Sequence, residues 1–168
     1  IFIGGGFPEC FIEDLAANKT MRSEIKMFIE SGGPAYAECG GLMYLSCSIS
    51  WRDQSGPMVG VIPAHTKMLN RPVGRGYMQL RIRSDHPWTA TRENARSLIP
   101  AHEFHHSLLE PVDANWSTAF TVERGHGLDG SRDGIHIHNL LAGYAHQRHV
   151  QANPWVDAFV DFVHEHRK

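Results

Sequence analysis

Tyr36-Ala37-Glu38-Cys39-Gly40-Gly41-Leu42-Met43-Tyr44-Leu45 decides the fold. Residues 35–38 read as a short strand, the chain turns abruptly at Cys39-Gly40-Gly41, and residues 42–47 have helical character. Strand, sharp turn and helix make a nucleophile elbow, which lifts a reactive side chain to the edge of a sheet. The turn is tight, so its flanks must be small, and Ala37 and Gly41 stand two positions either side of Cys39. A thiol works as a nucleophile when a base takes its proton and nearby amides hold the developing oxyanion. The Gly40 amide, opening the helix, is one such donor. A second must come from another strand end, and the Gly4-Gly5-Gly6 loop supplies it. The alternative is an inert buried thiol in a glycine turn. The preceding strand, the two following glycines and the histidines downstream weigh toward chemistry.

Outward from the elbow, Ile1-Phe2-Ile3 is a strand entering the triple-glycine loop. Ile1 is no start residue, so the chain reads as an excised domain. Residues 12–29 predict a helix broken near Asn18 and stopped by Ser31-Gly32-Gly33-Pro34. Residues 58–63, 76–82 and 118–123 predict strands, 125–130 a loop and 134–145 one or two strands. Residues 154–165 predict a last helix with Val156, Phe159, Val160 and Val163 on its apolar face. Such alternation describes one α/β domain over residues 1–168, mainly a parallel sheet with helices on both faces and some antiparallel additions.

Composition narrows the partners. A formal net charge of −2 leaves no basic field for nucleic acid or an anionic membrane surface, and no apolar run reaches bilayer length. Three cysteines, Cys10, Cys39 and Cys47, do not make a secreted disulfide framework, so a reducing, cytoplasmic compartment is expected. No Gly-x-x-x-x-Gly-Lys-Ser/Thr phosphate loop occurs. His102-Glu103-Phe104-His105-His106 matches a zinc-protease pattern formally, but that pattern needs a helix, and Pro100 and Pro111 leave little room for one. No metal is expected there. His136 and His138 alternate on an apparent strand, as an edge or interface feature. The arginines of Asn70-Arg71-Pro72-Val73-Gly74-Arg75-Gly76-Tyr77 suit acidic groups or simple solvation equally.

Gly4-Gly5-Gly6-Phe7-Pro8-Glu9, the elbow, the segment 102–107 and Asn139-Leu140-Leu141-Ala142-Gly143-Tyr144-Ala145-His146 together resemble the glutaminase domain of the cobyrinic acid a,c-diamide synthase family. The matches run in family order along nearly the whole chain. The resemblance implies a flavodoxin-like class I glutamine amidotransferase fold. It implies Cys39 as nucleophile, His146 as general base, and Gly40 with Gly6 as the oxyanion hole. Glutamine is then the substrate. An upstream ATP- and Mg-dependent synthetase domain, absent here, would activate the carboxylates of a tetrapyrrole acceptor, and this domain would itself need no cofactor. Cobyrinic or hydrogenobyrinic acid is the default acceptor and sirohaem the alternative. A homodimer is compatible with either.

One position departs from the wider class, which commonly places a glutamate two residues after the histidine. Arg148 stands there, and Glu103 is the candidate substitute for orienting the imidazole. Competing classes are a stand-alone thiol hydrolase of the same superfold, a non-catalytic binding domain that keeps the elbow, and a zinc hydrolase.

Overall fold

The computed structural model describes residues 1–112 and 116–167. Strand β1 (Phe2–Ile3) leads through the glycine loop to helices α1 (Ile12–Ala17) and α2 (Lys19–Glu30). They part at Asn18, whose side-chain oxygen accepts from Met21 N at 3.1 Å and caps α2. The chain continues through β2 (Ala35–Glu38), α3 (Gly40–Leu45), β3 (Ser46–Trp51), β4 (Gln54–Pro57), β5 (Ile62–Met68) and β6 (Gly74–Ile82). It ends through α4 (Thr89–Arg92), β7 (Leu98–His105), β8 (Ser107–Pro111), β9 (Ser117–Arg124), β10 (Arg132–Ile137), β11 (Leu140–Gly143), β12 (His146–Gln147) and α5 (Trp155–Glu165).

The main sheet runs β1-β2-β11-β10-β9-β6-β7-β12, and a smaller one runs β4-β3-β5-β8. The parallel block is β1, β2 and β11, built by the long crossover through α1 and α2. The antiparallel additions are larger than the block they extend: every later neighbour in the main sheet pairs antiparallel. Short connections make this possible. Between β10 and β11 the turn is His138-Asn139, with His138 at φ 53°. His138 therefore sits in the turn and does not share a strand face with His136.

Side chains of the central strands alternate between two cores. Ala35, Ala37, Leu140 and Ala142 face one, with Ile12, Ile29, Leu42 and the smaller sheet's Ile49 and Ile62. Tyr36 and Leu141 face the other, with Trp88, Ala158 and Phe162. Helices thus cover both faces, as expected of the fold class.

Tyr36 organises the second core. Its ring centroid lies 5.1 Å from Trp88, 5.1 Å from Trp155 and 5.9 Å from Phe159. This cluster rotates α5 relative to the sequence reading: Trp155, Ala158, Phe159 and Phe162 face inward, while Val156 and Val160 are exposed. Aromatic rings bury more area than valines, so they set the packed face. No helix among the described residues is long and apolar enough to cross a membrane.

Candidate active site

All four residues of β2 are buried, and the strand delivers the chain to Cys39. Cys39 has φ 48° and ψ −103°, a conformation costing about 1–3 kcal/mol for a non-glycine residue. The elbow is pinned from both sides: Cys39 N donates to Gly143 O at 2.8 Å, and Cys39 O accepts from Met43 N at 3.0 Å to start α3. The following glycines are steric necessities. A Cβ on Gly41 would run into Ile3 O, and one on Gly40 would lie 2.5 Å from Gly6 O and 2.7 Å from Gly6 N. The structure therefore brings Gly40 and the glycine loop into direct contact beside Cys39.

The thiol is buried and points at Phe104 O, 3.6 Å away. The cavity beside it, lined by Gly6, Glu9, Met43, Phe104 and His106 among others, holds about 30 Å³. That is the space of about one water.

His146 reaches Cys39 from β12. That strand is held on β7, with His146 opposite His102. The two imidazoles stack with centroids 4.7 Å apart and planes at 13°. Gly5 closes the other side, where an added Cβ would fall 2.5 Å from the His146 ring. The His146 pKa is pushed up to about 10, first by its hydrogen bond with the Cys39 side chain and then by Glu38. Burial, and then the charge of His146, hold His102 below the ordinary histidine value.

Glu38 is the carboxylate beside His146. Its Oε2 lies 3.6 Å from His146 Nδ1, an ion-pair contact slightly longer than a hydrogen bond. The carboxylate is fixed by Tyr36 Oη, which donates to Oε1 at 2.7 Å, and by Gln147 N at 3.0 Å. Gln147 Nε2 donates in turn to Tyr36 Oη at 2.9 Å, and Asn153 Nδ2 to Gln147 Oε1 at 3.2 Å. A continuous chain of polar contacts thus runs from Asn153 through Gln147, Tyr36 and Glu38 to His146 and Cys39.

Glu103 does not fill this role, which corrects the sequence-based expectation. Residues 102–105 form strand and not helix, so successive side chains alternate: His102 faces His146, and Glu103 faces inward. There its oxygens accept from His126 N at 2.7 Å and Gly127 N at 2.9 Å, with His105 Nε2 at 3.6 Å. Burial pushes the Glu103 carboxyl up, but His105 and the two amides outweigh it and hold the group below its usual value. The strand also means that His102 and His106 share no helical face, as the zinc pattern demands. Among the described residues no cluster of three or more His, Cys, Asp or Glu is arranged for a metal ion.

Two residues that sequence reasoning missed carry the site. The signal for Glu38 was available, as the one charged residue in a fully buried strand. Asp133 is the other. It is fully buried, accepts from Tyr144 N at 3.0 Å and Ala145 N at 2.9 Å, and so fixes the segment leading into His146. Burial raises its carboxyl to about 6 against the pull of those amides. Beside the histidine pair lies an open groove of about 740 Å³, lined by Tyr77, Pro100, His102, His146, Gln147 and Arg148 among others.

Comparison with known proteins identifies the family. The family described as the CobB/CobQ-like glutamine amidotransferase domain matches residues 1–154. A cobyrinate a,c-diamide synthase of Magnetococcus marinus is 39% identical over 166 residues, covering 98% of this chain and 34% of that protein. One from Archaeoglobus fulgidus is 44% identical over 146 residues, covering 87% of this chain and 31% of that protein. The chain therefore spans about a third of the length of these relatives. Among solved structures, a glutamine amidotransferase superposes with TM-score 0.65 at 15% identity, over 97% of this chain and 78% of the other. PurLQS from Thermotoga maritima also gives TM-score 0.65, at 14% identity, over 99% and 80%. At such identities these two share the fold.

Proposed function

The chain belongs to the CobB/CobQ-like glutamine amidotransferase domain family, and from that premise we propose that it hydrolyses glutamine through a Cys39 thioester. The observation that carries this reading is the elbow itself: a strained, buried Cys39 whose side chain is what most raises the adjacent His146. Cys39 Sγ, its proton already taken by His146, attacks the side-chain amide carbon of glutamine. The Gly40 and Gly6 amides receive the oxyanion. His146 returns the proton to the leaving nitrogen, ammonia departs, and a glutamyl thioester remains. Water, deprotonated by His146, cleaves the thioester, releasing glutamate and restoring the thiol. Glu38 orients the imidazole and stabilises its charged form.

In a longer protein of the relatives' size, the ammonia amidates carboxylates of a tetrapyrrole that a synthetase domain activates with ATP and Mg. Cobyrinic acid is the acceptor that the relatives' names support, and hydrogenobyrinic acid is its variant. The test is Cys39→Ala in such a full-length protein, assayed with glutamine and then with an ammonium salt. Loss of the first activity with retention of the second is expected, because free ammonia bypasses the thioester. Equal loss of both in a folded variant refutes the role of Cys39.

A further inference from the structure

The cavity at Cys39 contains a carboxylate that the mechanism above leaves unused. Glu9 follows Gly6 by three residues, on the one-turn 3-10 helix Pro8–Cys10 anchored by buried Pro8. Its Oε2 is fully shielded from solvent and has no hydrogen-bond partner among the described residues. Among the described residues Glu9 is the sole acid lining that cavity, beside the polar side chains of Cys39, His105 and His106. Burial raises its carboxyl, while its own backbone amide and the nearby His106 pull the other way without restoring the usual value.

A shielded carboxylate oxygen without a partner is costly, and native proteins rarely keep one without a use. The geometry points to Glu9 as the residue that binds the α-ammonium group of the glutamine substrate. This inference rests on the glutaminase reading and deepens it. One loop then grips the substrate at both ends. Gly6, beside Gly40, serves the amide end where bonds change, and Glu9 serves the amino-acid end that stays intact. The selectivity is chemical: a cation at the α-carbon gives Glu9 Oε2 a partner, and a substrate lacking it leaves that oxygen shielded and without one. Such an omission typically discriminates strongly.

The test uses two diazoketones that alkylate Cys39. One is glutamine-shaped with its α-amino group, 6-diazo-5-oxo-norleucine, and the other is the same molecule without that group. Iodoacetamide serves as a probe of plain thiol reactivity. Rates are read as mass added to the Cys39 peptide, because Cys10 is also free and exposed. Wild-type protein should react about 10- to 100-fold faster with the amino-bearing probe, as expected for a charge-assisted hydrogen bond. Glu9→Gln should abolish that preference and leave the iodoacetamide rate unchanged, and Glu9→Asp should retain part of it. A preference that survives Glu9→Gln overturns the assignment of Glu9 alone. A wild type that shows no preference overturns it without any variant being made. Failure of both diazoketones to label wild-type Cys39 while iodoacetamide succeeds removes the glutaminase reading as well.

Discussion

Glu38→Gln isolates the electrostatic part of the site. Glutamine keeps the shape, and its carbonyl oxygen still accepts from Gln147 N and Tyr36 Oη, so the buried scaffold survives while the charge is lost. The charge sits 3.6 Å from His146 Nδ1. At that distance an opposite charge is worth about 4 to 5 kcal/mol at an effective dielectric of about 20. The His146 side chain is 22% exposed and borders the open groove. Solvent screening reduces the figure to about 2 kcal/mol, or about 1.5 pH units in the histidine midpoint.

The His146 midpoint, about 10 in the wild type, should fall by that amount. It can be followed by carbon-detected NMR of the imidazole, assigned with a His146→Gln variant. Glutamine turnover should fall about 10- to 100-fold in kcat/KM. The linked stability effect has a definite sign. A histidine raised above its ordinary 6.5 stabilises the fold below that value, and the contribution disappears as pH climbs through about 10. Glu38→Gln should therefore flatten the alkaline decline in stability. A midpoint unmoved by the substitution would refute the argument that Glu38 acts on His146, whatever happens to the rate.

Glycine substitutions separate contact from chance. Gly40→Ala should push the Gly6 backbone away and cost about 100-fold or more in turnover, whereas Gly6→Ala meets nothing within 4 Å and should leave glutaminase rates nearly intact. Asp133→Asn keeps only one strong acceptor for the Tyr144 and Ala145 amides, so chemical denaturation should show a loss of about 1–3 kcal/mol. Because Asp133 is raised from 3.8 to about 6, its protonated form stabilises the fold below 3.8, and that contribution is lost as pH rises through 6. The variant should lack that component of the stability profile, measured by denaturant titration across the same window.

The elbow was legible in the sequence because its constraints are local: a thiol in a tight turn demands small neighbours, and Ala37, Gly40 and Gly41 declare them. The helix break at Asn18 was legible for the same reason, as a capping residue inside an apolar pattern. Glu103 was misassigned because its role depends on pairing between β7 and β12, which lie about 45 positions apart in sequence. With β7 unrecognised, nothing said which way position 103 faces. The strands over residues 46–57 were missed because Ser46, Ser48 and Ser50 blur the alternation there. Their packing comes from Ile49 and from neighbours supplied by β5.

The arrangement of the histidine pair bears on inhibitor discovery. The pocket over the thiol has room for about one water, whereas the groove beside His146 and His102 is open and roughly 740 Å³ in volume. Small-molecule screening against the resting protein will therefore find the groove and miss the thiol. A compound lodged there contacts His146 without occupying the cavity at Cys39. Its kinetic signature is a reduced kcat at unchanged KM, which separates it from electrophiles that react at Cys39 itself.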